Sequence, residues 1–304
     1  MRALFKRLKF LRDPLALASL LIMLLSIAYI VYSFRPFATG SENVNILEDY
    51  VKAVHYLNKS STALEKRLAG STFIAIDFDT SDVSEVRNGI EKYMNNLSLV
   101  YGSKDAFFVN VAKNYLYTAE GAVNSTAAYY AINSSVDGVR EALHLLALCR
   151  VNEAIERFSS VEAEVLKALS SIARAISALK RIDKGFVSET HLPVINASLK
   201  RLEKSFESLY NAYTLMEIAK QYREYIELMC SGEPVNNTNA LSNLLNRISE
   251  VKASGPLSID IANAKNAIQQ LLQDYMRRHG GQQGGEEGKG VGGGAGYAPP
   301  ESYD

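Results

Sequence analysis

The chain has 304 residues, with 33 basic and 33 acidic side chains. A net charge of zero removes any bulk electrostatic pull toward nucleic acid or anionic surfaces, so no nucleic-acid partner is expected. The 17 Tyr and absence of Trp suit helix surfaces more than a tight aromatic pocket.

Residues 1–14 form a short basic segment, with Arg2, Lys6, Arg7, Lys9 and Arg12 against Asp13. Leu15 to Phe34 follows with no charged residue in 20 positions. At 1.5 Å per residue this length spans about 30 Å, the thickness of a bilayer core. Tyr29 and Tyr32 sit near its exit, where aromatic rings favour the membrane interface. The exit reads Phe34-Arg35-Pro36-Phe37-Ala38, a poor cleavage context, which argues for an uncleaved anchor over a signal peptide. The basic flank places the N-terminus in the cytoplasm and the remaining chain outside.

Residues 35–278 read as one extracellular helical domain. Ile46, Tyr50, Val54, Leu57 and Leu64 recur at helical spacing over 44–68,. After an apolar stretch at 73–76, Asp82-Val83-Ser84-Glu85 resembles a capping box and opens a helix that runs to about Tyr101. A third helix is expected over 104–132. The most regular stretch comes next: Val151, Ile155, Phe158, Val161, Val165, Leu169, Ile172, Ile176 and Leu179 step by three or four. After a break at Lys184-Gly185 the same stepping resumes near Pro193 and continues to Met229. A spacing near 3.5 keeps one apolar stripe facing a partner, which predicts an antiparallel pair with coiled-coil-like seams. Two shorter helices are expected over 238–252 and 257–278, and there is no repeat of fixed period. Residues 279–304 are Gly-rich and predict a disordered tail, first as a solvated end; the alternative is a flexible arm on which Tyr297, Pro299, Pro300 and Tyr303 would offer a compact recognition cluster. The expected fold class is therefore all-α: one N-terminal transmembrane helix, an extracytoplasmic bundle of long antiparallel helices and a disordered tail.

In a hairpin with its apex near residue 188, Cys149 and Cys230 fall within a few residues of the same level. Outside the cell a disulfide between them would persist and close a loop of roughly 80 residues, which the chain-entropy model values at about 4 kcal/mol. Asn-x-Ser/Thr sequons begin at Asn58, Asn96, Asn124, Asn133, Asn196 and Asn236, all on the expected outer side, and mark glycosylation candidates,.

No catalytic, cofactor or metal signature stands beside these. His55, His144, His191 and His279 have no metal-ligand spacing,. No nucleophile elbow, phosphate loop or dinucleotide fingerprint occurs. Asp77, Asp79 and Ser81 begin like a calcium loop, but Asp82 stands where the turn glycine belongs and Asn88 where the closing Glu belongs, so helix capping is the better reading. Tyr129-Tyr130 and Tyr222/Tyr225 read as partial core with the hydroxyl reaching solvent.

The leading expectation is a non-enzymatic, single-pass surface protein. It would serve as a helical stalk or scaffold for envelope, surface-layer or membrane-complex assembly, with other membrane or envelope proteins, or further copies of itself, as partners. A ligand-binding or sensor subunit working through a membrane partner is the alternative, and a hydrolase with an unrecognised site the second alternative. The sequons, N-terminal anchor, absent Trp and abundant Ile, Leu and Tyr resemble archaeal surface proteins in composition.

Overall fold

The computed structural model describes residues 46–70, residue 88 and residues 106–279. The chain divides into two units, Met1–Val51 and Lys52–Asp304; the second holds every described helix except residues 46–51 of the first helix. Among the described residues every regular element is a helix. These are α1 (Ile46–Leu68), α2 (Ala106–Ala147), α3 (Val151–Ser159), α4 (Glu162–Lys180), α5 (His191–Gln221), α6 (Arg223–Ser231), α7 (Thr238–Glu250) and α8 (Ser258–His279). A 3-10 turn, Lys184–Phe186, lies between α4 and α5. None of these helices is long and apolar enough to cross a membrane. The expected span Leu15–Phe34, the acidic cluster at 77–82, Asn96 and the Gly-rich tail beyond His279 lie outside the described residues.

Helix α2 is the 42-residue centre of the bundle and touches α3, α4, α5 and α8. Val111, Tyr115, Thr118, Ala122, Ser125, Tyr129, Ile132, Val136, Val139, Leu143 and Leu146 are all buried along it, alternating steps of four and three. A second buried line of Asn114, Gly121, Ala128, Ser135 and Ala142 repeats every seven residues. Two seams at a period of 3.5 allow one helix to be enclosed by several neighbours. Small residues let those neighbours come close. A Cβ added at Gly121 would stand 2.7 Å from Leu179 Cδ2, and one at Gly138 would stand 2.7 Å from Val161 Cγ1.

The chain then folds back twice. Val151, Ala154, Phe158, Val165, Ala168, Ile172, Ala175, Leu179 and Ile182 form the buried stripe of α3 and α4. Ile195, Ser198, Leu202, Ser205, Leu209, Ala212, Met216 and Ala219 form that of α5, with large and small residues alternating. Between them, the Asn114 side chain accepts from Asp183 N at 2.9 Å and donates to Asp183 O at 2.7 Å, which ties the connection to α2. Pro193 falls in the first turn of α5, where an amide hydrogen has no helical partner to lose. Lys220 reaches Glu162 at 2.7 Å and Lys180 reaches Glu203 at 2.8 Å, so α4 and α5 run antiparallel. α1 is held to α2 through Arg67, which meets Asn133 at 3.0 Å and Asp137 at 2.6 Å, and to α5 through Arg201, which donates to Asn58 at 2.9 Å.

The last two helices close on this core. Lys265 donates to the carbonyls of Ser249 and Val251 at 3.0 and 2.6 Å, satisfying acceptors at the C-terminus of α7,. Gly255 adopts φ +71 and lies where a Cβ would be 2.9 Å from both Lys204 O and Ser208 Cβ of α5. Ser208 Oγ accepts from Leu257 N at 2.9 Å in the interior.

Three boundaries differ from the sequence expectation. α2 continues from residue 132 to Ala147, because Asn133-Ser134-Ser135 does not break a helix when Ser134 and Ser135 donate back to Ala131 O,. The stretch 151–179 is split at Ser160–Val161, and the stretch ending at Met229 is split at Tyr222. In both cases the apolar stripe carries on through the interruption, so periodicity gives no sign of it.

Candidate functional site

The cysteines lie where two helix ends meet. α2 ends with Cys149 at φ +61, the position normally taken by glycine,. Arg150 N donates to Leu145 O at 2.9 Å and Cys149 N to Leu146 O at 3.2 Å, which together make a Schellman motif,. α6 ends the same way at Gly232, with Glu233 N donating to Leu228 O at 2.8 Å and Gly232 N to Met229 O at 3.2 Å. Cys230 lies in the last turn of α6, and the structure joins it to Cys149 with 5.8 Å between Cα atoms. Cys149 is exposed and Cys230 half-buried. An open cleft of about 430 Å³ surrounds the bond, lined by Arg150, Asn152, Glu153, Glu227 and Ser231 among others. Arg150 pairs with Glu153, and that hydrogen bond holds the Glu153 carboxyl below its usual range.

A second polar group lies at the α3–α4 junction. Lys220 Nζ is 2.7 Å from Glu162 and 2.9 Å from Glu217, and 5.2 Å from the centre of the Phe158 ring. Burial pushes its pKa down, but hydrogen bonds to Glu162 and Glu217 and their charges more than offset this and hold it above the usual lysine value. Tyr213, against Phe158 at 5.9 Å, is raised by burial and then by the nearby Glu217 and Glu162 charges. The lysine shift follows from its place between two carboxylates, and the tyrosine shift first from burial, which the Lys220 charge opposes. Among the described residues no three His, Cys, Asp or Glu side chains converge as metal ligands.

The five described sequons are dispersed. Asn58, Asn124, Asn133 and Asn196 lie within helices, and Asn236 lies in the loop between α6 and α7. Of the tyrosines singled out by sequence, Tyr129 is buried and Tyr130 is 46% exposed, with their rings edge to face at 5.7 Å. Tyr222 and Tyr225 stand 6.3 Å apart, with the Arg247 guanidinium 5.9 Å from the Tyr222 ring.

A groove of about 620 Å³ lies between α4 and α5, lined by Ala173, Ile176, Ser177, Lys180, Arg181, Glu203 and Phe206. Phe206 stacks on Tyr210, which is 52% exposed. Ile176 and Phe206, which the sequence stepping assigns to the packed seam, instead stand half-buried at the edge of this groove beside Ala173 and Tyr210. No protein-family model matches the chain, and neither the curated proteins nor the solved structures give a match.

Proposed function

We propose that this is a non-enzymatic, single-pass cell-surface protein. Leu15–Phe34 spans the membrane, the short basic N-terminus stays in the cytoplasm, and the helical bundle stands outside as a stalk or scaffold for envelope or membrane-complex assembly. The Cys149–Cys230 disulfide carries this reading. A bond with one exposed cysteine persists in an oxidising compartment and is lost to thiol exchange in a reducing one. It clamps the open end of the hairpin formed by α3 to α6, which suits a part that bears load between a membrane and its partners. The basic flank of the apolar segment supports the same orientation.

The test is thiol labelling in intact cells. Cys149 and Cys230 should resist alkylation until a membrane-impermeant reductant is added, and then react with an impermeant maleimide. Labelling only after cell lysis, with no reductant needed, would overturn the outside placement. Crosslinking followed by copurification from solubilised membranes should then recover envelope or membrane proteins, or further copies of the chain. The α4–α5 groove favours a second reading, a ligand-binding subunit working through a membrane partner. In that case a small molecule would raise the melting temperature and the Phe206→Ala substitution would abolish the rise.

A further inference from the structure

The described sequons are of two kinds. In Asn58, Asn124, Asn133 and Asn196 the motif lies inside a helix, where residues two apart point about 200° away from one another. Their hydroxyl residues, Ser60, Thr126, Ser135 and Ser198, are consequently buried, none more than 3% exposed. Ser60, Thr126 and Ser135 donate to carbonyls of their own helices, at 3.2, 2.8 and 2.7 Å. Three of the asparagine side chains are also engaged. Asn58 and Asn133 accept from Arg201 and Arg67, and Asn124 donates to Glu120 O.

Asn236 is different. It lies outside any helix, and both it and Thr238 are exposed. Its neighbours are pinned on either side. Buried Val235 donates its N–H to Tyr275 Oη, and the Asn237 side chain caps α7 by accepting from Ala240 N at 3.0 Å. Asn236 is therefore held outward between two fixed points, with its motif hydroxyl open to the same solvent. A glycosyl transferase must reach the amide and the hydroxyl together, which this motif allows and which the helical motifs, with the hydroxyl buried, do not.

We infer that Asn236 is, among the five described sequons, the N-glycosylation site that the folded bundle offers, and that the four helical sequons arise from small hydroxyls placed at helix contacts. The inference rests on the outside placement proposed above. Asn236 Nδ2 attacks the anomeric carbon of a lipid-phosphate-linked oligosaccharide. The carbon–oxygen bond to the lipid phosphate breaks, the lipid phosphate leaves with the electron pair, and the amide gives up one proton to a base of the transferase. The glycan would stand six residues beyond Cys230, beside the disulfide-closed end of the bundle.

The test uses the full chain carrying Asn96→Gln and a flexible Asn-Gly-Thr reporter at its C-terminus. The folded chain is incubated with an oligosaccharyltransferase and a lipid-linked oligosaccharide, then mapped by glycopeptide mass spectrometry. Asn236 and the reporter should be modified, with occupancy at the four helical sequons at least tenfold lower, and Thr238→Ala should abolish modification at Asn236. Unfolding the chain first should bring the helical sequons up to the level of Asn236. A bare Asn236 beside a modified reporter, or a helical sequon equal to Asn236 on the folded chain, overturns the inference. The same chain expressed in glycosylating cells tests the placement. A bare reporter there removes the outside location, and with it any use of Asn236 in the cell, whatever the purified chain does.

Discussion

Removing the disulfide gives the sharpest test of the energetics. Cys149 and Cys230 are 81 residues apart. Closing a loop of that size removes denatured-state entropy worth about 4.5 kcal/mol at 25 °C in the chain-entropy model. Residual structure in the unfolded helices would lower this value, so it is an upper figure. The double substitution Cys149→Ala, Cys230→Ala should therefore cost about 3–4.5 kcal/mol, a large part of a typical folding stability. A second variant separates the crosslink from the backbone. Cys149 sits at φ +61, where a residue with a Cβ is less favourable than glycine by roughly 1 kcal/mol. Cys149→Gly with Cys230→Ala should accordingly recover about 1 kcal/mol relative to the double alanine variant. Urea unfolding of the full chain, followed by far-ultraviolet circular dichroism, measures both differences through the transition midpoints. A double alanine variant that unfolds at the wild-type midpoint would refute the crosslink argument. Equal midpoints for the glycine and alanine versions would refute the assigned helix ending.

Other substitutions separate packing from polarity. Gly255→Ala should destabilise by about 2–4 kcal/mol, because the new Cβ meets Lys204 O and Ser208 Cβ at 2.9 Å in a left-handed backbone that alanine disfavours,. Thermal unfolding reads the loss, and an unchanged Tm would contradict the close approach. Ser205→Ala should be neutral or stabilise by up to about 1 kcal/mol, since the Ser205 hydroxyl is buried with no hydrogen-bond partner,, and a loss above 1 kcal/mol in urea would show that the hydroxyl does find one. Lys220→Met should cost about 1–2 kcal/mol by leaving Glu162 and Glu217 together with no cation, a figure discounted for the 24% exposure of the lysine,. Lys220 and Tyr213 both have raised folded-state pKa values, so the folded chain holds more protons than the unfolded chain once pH passes about 10. Their contribution is complete below that point and is lost as pH rises through the folded values. Tyr213→Phe should make the alkaline fall in stability shallower, and an unchanged slope between pH 9 and 11 would count against it.

The apolar stepping that identified the α4–α5 pair is buried in part: Val151, Phe158, Val165, Ile172 and Leu179 are covered by neighbouring helices, while Ile155, Val161 and Ile176 lie at the flank and are only half-buried. The level of the two cysteines was legible because residues in an antiparallel pair count off from a shared apex. Other features carried no local mark. Ser160–Val161 and Tyr222 interrupt helices whose stripes continue regardless. Gly121 and Gly138 look like helix weaknesses until Leu179 and Val161 are placed against them. The α4–α5 groove depends on which flank of each helix is left uncovered.

The sequons show the division most clearly. The sequence determined six places where Asn and a hydroxyl stand two apart, along with the helical periodicity, the charge-free segment and the cysteine spacing. All of these are properties of neighbours along the chain. Only the tertiary structure decided that Ser60, Thr126, Ser135 and Ser198 face helix contacts while Thr238 faces water. Burial is set by which helices meet, and a motif of three residues holds no record of what packs against it.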